Sequence, residues 1–120
     1  VLTPALLEDE PFIVMRPDHM THRRTREVFQ NAGLRWRPRV HTHLFRNKLG
    51  FVREGMGVAL IDPFTIANEP SGGYVTRRFD PAVQLDMSVI TSKRHTMSAL
   101  GQGFLDLLIR EMRQFESPRV

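Results

Sequence analysis

The sequence contains no cysteine, and its 120 residues include one tryptophan and one tyrosine. The missing thiols exclude a disulfide framework, a thiolate zinc site and a cysteine nucleophile. They favour a reducing compartment such as the cytoplasm. No apolar run approaches the roughly 20 residues that a membrane-spanning helix needs, so we expect no membrane partner. The acidic first ten residues do not have the pattern of a signal peptide.

The size and composition predict one globular domain. Apolar residues make up 41% of the chain and charged residues 25%, a balance typical of a packed core and not of disorder. A chain of this length is too short for two independent cores. The first residue is valine and not methionine, so we expect the chain to be a piece of a longer protein.

Positive charge is concentrated in the first half of the chain. Between Arg16 and Arg53 there are ten basic residues and two acidic ones, and the net charge is +4. A nucleic-acid module usually adds interleaved aromatic residues or a helix-turn-helix, and the sequence has neither. Three interpretations stay open, in decreasing order of support: a solvated basic face, a face for an acidic partner or subunit, and direct contact with nucleic acid.

Hydrophobic periodicity predicts an α/β fold with a Rossmann-like βαβαβ unit over residues 11–61. Apolar runs of strand length alternate with stripes of helical period, and Gly33 and Gly55 close the helices. Such a unit forms a parallel sheet with right-handed crossovers. The predicted elements are a strand at 11–15, a helix at about 20–32 with Asp18 as its N-cap, a strand at 37–42, a helix at 44–54 and a strand at 56–61.

The rest of the chain predicts a looser region and one clear helix. Residues 66–73 have the composition of a loop, and 74–79 and 85–91 have strand patterns. The last helix should run from Met97 to Phe115, with Thr96 or Ser98 as its cap. Its broad apolar stripe predicts that it packs on another surface or pairs with another chain.

Polar residues follow each of the three predicted parallel strands. Ligands bind beyond the carboxyl ends of strands in open parallel sheets, beside helix N-termini that favour an anion. The site should therefore take a small polar metabolite with a carboxylate. The candidate effector-binding residues are Arg16, Asp18, His19 and Thr21 after the first strand, His41, Thr42 and His43 at the second, and Asp62 after the third.

Other motifs favour structural interpretations. The glycines at 55 and 57 close a helix and open a strand, the reverse of a phosphate-binding loop, so we expect a tight turn. His41 and His43 would share one face of a strand, but a metal site needs a third ligand from Asp62, His19 or His22. No nucleophile–base pair is visible. We expect no enzyme, no catalytic residue, no metal and no cofactor.

The ordered set of these elements resembles a known family. The run 11–15, the helix end Phe29-Gln30-Asn31-Ala32-Gly33, the stretch from Leu49 to Pro63 and the helix after Ser98 look like the effector-binding region of a LysR-type transcriptional regulator. The most specific part is 49–63, with a helix, Gly-x-Gly and an apolar strand ending in proline. The Asp62-Pro63-Phe64-Thr65 ending departs from the commoner Leu-Pro pattern and looks similar to members that sense opines or basic amino acids.

The resemblance implies a type 2 periplasmic-binding-protein-like fold. Residues 1–10 would be a linker, 11–80 the second effector-binding subdomain, and 81–120 a strand and helix returning to the first subdomain. A co-inducer bound between subdomains would reorient them in a dimer or tetramer. DNA would be contacted only by an absent N-terminal helix-turn-helix. The strand-end residues named above are those that the resemblance also implicates, from Arg16 to Thr21 and from His41 to His43.

Two other functional classes compete with the regulator. The first is a solute-binding module of a transport system, which shares the architecture and would be favoured by an upstream secretory signal. The second is a nucleotide-dependent enzyme, which the lack of a phosphate loop and of a catalytic pair disfavours.

Overall fold

The computed structural model describes residues 1–116, so the last four residues of the predicted 81–120 region lie outside it. The chain divides into two compact units, one from Val1 to Leu85 and one from Asp86 onward. The first unit contains both strands and three α-helices, and the second contains the last helix. No helix in the described part of the chain is long and apolar enough to cross a bilayer.

Four of the five elements predicted for residues 11–61 are present. The apolar run of the first strand leaves Phe12 to Met15 buried, as expected of a strand covered on both faces. The helices end at glycines with positive φ, Gly33 and Gly55. The observed elements are β1 (Pro11–Met15), α1 (Met20–Asn31), β2 (Arg37–Thr42) and α2 (Phe45–Arg53).

The two strands pair in parallel, with a bulge that decides which side chains share a face. Phe12 is opposite Pro38, and Ile13 is opposite Val40, so Arg39 is an extra residue in β2. After the bulge, Val14 is opposite His41 and Met15 is opposite Thr42. His41 therefore lies on the same face of the sheet as Phe12 and Val14.

The third predicted strand, 56–61, is wrong as a continuous strand. It forms a single parallel bridge, in which Ile13 N donates to Val58 O (2.8 Å) and Val58 N donates to Pro11 O (2.9 Å). Beyond the bridge, the Leu60 carbonyl accepts from the Lys48 ammonium at 3.0 Å and not from a β1 amide. The segment runs parallel to β1, as predicted, but the hydrogen bond from the Lys48 side chain replaces the rest of the β-ladder.

The predicted strands at 74–79 and 85–91 are also wrong. The first contributes one bridge between Phe79 and Leu2, and the second forms no strand. A strand needs a neighbour for its backbone groups, and no described strand lies along 85–91, where Val89 and Ile90 are exposed.

The first ten residues, expected as a linker, contain a 3₁₀ helix at Pro4–Leu7. Proline in the first helical turn suits its fixed φ and missing N–H. Pro4 and Leu7 are buried, and Leu7 packs in the main hydrophobic cluster with Phe12, Val14 and Phe29. This segment therefore packs as part of the first unit.

A short helix, α3 (Pro63–Asn68), extends into the first residues of the predicted loop at 66–73. The Asp62 carboxylate caps it, and Pro63 is its first residue. The last helix, α4 (Ala99–Arg113), is confirmed with Ser98 as its cap, since Ser98 Oγ accepts from Gly101 N at 3.0 Å. Leu100 and Phe104 on α4 are 85% and 66% exposed.

Aromatic packing forms the centre of the first unit. The Phe29 ring is 0% exposed and meets the Phe12 ring edge-on, with centroids 5.5 Å apart. The Trp36 ring meets Phe12 at 5.9 Å. Phe29 thus joins α1 to β1, and Trp36 joins the start of β2 to the same cluster.

We predict that Phe29→Ala lowers the free energy of unfolding by about 3–5 kcal/mol, because it leaves a cavity in this cluster. Urea denaturation followed by circular dichroism measures the change. Phe104→Ala removes the same ring from an exposed site and should change stability by less than about 0.5 kcal/mol. Equal losses in the two variants would contradict this account of the core.

We predict that Gly57→Ala destabilises the chain by more than about 1 kcal/mol. A Cβ at position 57 would lie 2.1 Å from the Pro11 carbonyl oxygen, and the φ of Gly57 is +152°. Gly50→Ala in α2 is the control, because its Cβ would meet nothing within 4 Å. It should stabilise the chain by about 0.4–1 kcal/mol. Destabilisation by both substitutions to the same extent would show that the close approach to Pro11 is not the cause.

Candidate functional site

The ends of β1 and β2 adjoin at one edge of the sheet. Met15 is in register with Thr42, and Arg16 N donates to Thr42 O at 3.2 Å. A shallow cavity of about 250 Å³ lies at this edge. Its lining residues are Met15, Arg16, Asp18, His19, Thr42 and His43. Five of the eight predicted site residues therefore line one cavity.

His19 is held in a fixed orientation at the start of α1. Its Nδ1 accepts from Thr21 N at 3.2 Å and lies 2.8 Å from Thr21 Oγ1. Because Nδ1 acts as an acceptor, Nε2 is free to donate to a ligand when the ring is neutral. The His19 ring also packs edge-on against Phe45, with centroids 5.5 Å apart. Thr21 is not a lining residue and instead orients His19.

The predicted N-cap of α1 is wrong. His19 caps the helix, and Asp18 forms an exposed ion pair with Arg16, with Nε and Oδ1 3.3 Å apart. A ring nitrogen replaces the carboxylate because His19 immediately precedes the first helical residue, whereas Asp18 lies one residue too early. Asp18 therefore holds the Arg16 guanidinium at the rim of the cavity, although such an exposed pair stabilises the fold little.

His41 lies away from this cavity. Its ring stacks on that of His22, with centroids 5.7 Å apart and an interplanar angle of 26°. The bulge at Arg39 places it there, while His43, one residue beyond the strand, lines the cavity. Among residues 1–116, no group of three metal-ligating side chains lies close enough together to hold a metal ion.

His22 itself is buried and structural. Its Nδ1 lies 2.9 Å from the Met15 carbonyl oxygen, which makes Nδ1 the protonated nitrogen. Burial lowers the pKa of His22 below its usual value, while the bond to the Met15 carbonyl opposes that shift. His22 thus ties α1 to the last residue of β1, directly before the cavity.

Asp62 does not line the cavity. Both of its carboxylate oxygens are occupied by Thr65, with Oδ1 accepting from the backbone N and Oδ2 from Oγ1, each at 2.7 Å. The third strand end thus carries a helix cap, and the predicted convergence of three polar clusters is reduced to two.

Lys48 is the functional candidate that the sequence reasoning missed. The residue is 3% exposed, and its Nζ lies 4.7 Å from the centroid of the Phe45 ring. Burial lowers the pKa of Lys48 to about 8, with the Asp62 carboxylate opposing that shift. The available signal was its position in the apolar stripe of α2, between Phe45 and Leu49.

The helix α2 begins two residues beyond His43, which lines the cavity. Leu44 occupies the N-cap position and supplies no side-chain acceptor to the first turn. The unpaired N–H groups of a first helical turn favour an anion by about 0.3–1 kcal/mol. Thr42 and His43 thus line the cavity shortly before a helix start, an arrangement that suits a carboxylate.

A larger hollow of about 360 Å³ lies between α1 and β2. Most of its wall is apolar or aromatic, and strand ends do not contribute to it. Its lining residues are His22, Arg26, Phe29, Gln30, Leu34, Trp36 and Pro38. We favour the smaller cavity as the candidate site because polar side chains, strand ends and helix starts converge there.

Comparisons with known proteins agree with this geometry. The model of the family described as LysR substrate binding domain matches residues 1–113. The transcriptional activator protein LysR of Escherichia coli (strain K12) is 30% identical over 104 residues, which are 87% of this chain and 33% of that protein. The regulatory protein NocR of Agrobacterium tumefaciens (strain T37) is 29% identical over 84 residues, 70% of this chain and 28% of that protein.

The chain thus spans about a third of the length of these curated relatives. The family is one of ligand-binding domains with the type 2 periplasmic-binding-protein-like α/β fold, which confirms the predicted fold class and the prediction that the chain is not an enzyme. Both relatives are regulators by name, which favours the regulator over a transport module. The chain belongs to the LysR substrate binding domain family.

Proposed function

We propose that this chain is the effector-binding part of a LysR-type transcriptional regulator and that it binds a small polar metabolite carrying a carboxylate. The observation that carries the proposal is the cavity at the adjoining ends of β1 and β2. Arg16, His19 and His43 supply cationic or donor groups there, and α2 begins two residues beyond His43 without a side-chain cap. Such a rim binds an anionic group through charge-assisted hydrogen bonds.

The residues in the cavity take distinct roles in this proposal. Arg16 and His43 contact the carboxylate, and the Thr42 hydroxyl and His19 Nε2 orient the rest of the metabolite. Asp18 pairs with a cationic group of the ligand or keeps Arg16 in place. Three of the predicted residues act through the fold and not on the ligand. The His41 ring stacks on His22, the Thr21 hydroxyl bonds to His19, and the Asp62 carboxylate bonds to Thr65.

The regulatory mechanism is a shift between conformations. A ligand can favour one arrangement only by binding it more tightly than the other. We propose that the cavity forms one wall of a cleft, that 11–80 belong to one subdomain and 81–120 return to another, and that the ligand reorients the two in a dimer or tetramer. The proposal also includes DNA contact by a separate helix-turn-helix and a cytoplasmic location. It further includes self-association through the exposed face of α4.

Isothermal titration calorimetry against a panel of amino acids and opines tests the binding role. His43→Ala should weaken binding of any panel member that binds by about tenfold or more, since it removes a charge-assisted hydrogen bond. His41→Ala is the matched control, because it deletes the same side chain at a position that does not line the cavity. It should leave affinity within about twofold.

Equal weakening by both substitutions would contradict the proposed position of the site. Turnover of a substrate by the chain, with no metabolite bound reversibly, would contradict the proposed function itself.

A further inference from the structure

Residues 60–69, here called the rim segment, are attached to α2 by side chains and not by a strand ladder. The backbone ladder to β1 ends at Val58, and Lys48 Nζ then donates to Leu60 O at 3.0 Å. At the far end of the segment, Arg46 Nη2 lies 2.7 Å from Glu69 Oε1. The segment contains α3, and none of the six residues of α3 is buried.

The attachment at Lys48 is unusual because it buries a cationic group. An ammonium has three N–H donors. Among the described residues, the hydrogen-bond acceptor of the Lys48 ammonium is the Leu60 carbonyl. The Phe45 ring faces the charge, and Asp62 acts on it without a direct ion pair. A buried charge with so little compensation costs free energy, so the closed rim segment is penalised while Lys48 is protonated.

We propose that Lys48 is a positioning residue that docks the rim segment on α2, and that the segment opens more readily when the buried amine carries a proton. The docking stands independently of any ligand. A consequence for the effector cavity would pass through Phe45, whose ring faces Lys48 Nζ and packs against His19, and this consequence rests on the proposed function.

The sign of the pH dependence follows from proton linkage. Opening of the segment returns the amine to water, where its pKa is 10.5, whereas the pKa of Lys48 in the closed state is about 8. The closed state therefore binds fewer protons than the open state between these values, and it gains stability as the pH rises. From pH 7 to pH 9, the opening constant should fall about tenfold.

Other groups near Lys48 do not produce this change. On α1, burial and, to a smaller extent, the Lys48 charge lower the pKa of His22 below 6.5, so His22 loses its proton below the pH range of the test. Asp62 faces Lys48 from the rim segment, and its carboxylate stabilises the charged amine. Asp62 is therefore the charged side chain that shifts the pKa of Lys48, and it acts against the effect of burial.

Amide hydrogen exchange measured by NMR on the whole 120-residue chain, without ligand, tests the proposal. The probes are the amides of Thr65 and Ile66, which bond to Asp62 Oδ1 (2.7 Å) and Asp62 O (3.3 Å). A six-residue helix does not persist alone in water, so opening should expose both amides. The reference is the Leu34 amide, which bonds to Phe29 O in the core at 2.9 Å.

After correction for intrinsic exchange, the opening constants of Thr65 and Ile66 should exceed that of Leu34 and fall about tenfold from pH 7 to pH 9. Lys48→Met should abolish the pH dependence. Arg46→Met is the matched control on the same helix, because it removes the exposed attachment to Glu69. It should raise the opening constant at both pH values and keep their ratio.

A ratio near one between the wild-type opening constants at pH 7 and pH 9 would overturn the proposal. An opening constant of Thr65 no larger than that of Leu34 would also overturn it, and so would loss of the pH dependence in Arg46→Met. If Lys48→Met fails to fold, the pH dependence of the wild-type opening constants and the result for Arg46→Met still decide whether the proposal holds. Because no ligand is present, failure of the proposed effector function would leave this result unchanged.

Discussion

The parallel pairing of β1 with β2 is the constraint on which the rest of the first unit depends. It brings Arg16 and Thr42 to the same edge of the sheet, and the bond from Arg16 N to Thr42 O fixes their register. It also lets α1 and α2 begin beside each other, since each helix follows the end of a strand. The cavity at this edge is a direct consequence of two strands running in the same direction.

The bulge in β2 determines the face of the sheet on which the residues after it lie. Because of the extra residue at Arg39, His41 is opposite Val14, on the face of the sheet that carries Phe12. There His41 stacks on His22 beside the aromatic cluster, and His43 lines the cavity. The bulge thus sets the face on which the structural histidine lies, whereas the candidate binding residue follows the end of the strand.

The fold could be predicted from the sequence where a local signal was strong. The apolar run 11–15, the helical stripes and the glycines after them located β1, α1, β2 and α2 to within a few residues. The bulge could not be predicted, because the alternation of a short segment does not specify which residues of the two strands are paired. The third strand failed because the Leu60 carbonyl bonds to a distant lysine, a contact that exists only after folding.

The candidate site was predictable to a similar extent. Strand ends identified five lining residues, but the roles of Thr21 and Asp62 depend on hydrogen bonds to His19 and Thr65 that spacing alone leaves open. Lys48 had a readable signal, a cation in an apolar stripe, although such a residue more often extends its charge to solvent.

Binding at the edge formed by β1 and β2 is the central claim. The most direct measurement is an NMR titration of the ¹⁵N-labelled chain with carboxylate-bearing metabolites, with each shift assigned to its residue. The account predicts that the largest shifts occur at Arg16, His19, Thr42 and His43. Shifts concentrated instead at Leu34 and Trp36, in the hollow between α1 and β2, would contradict it.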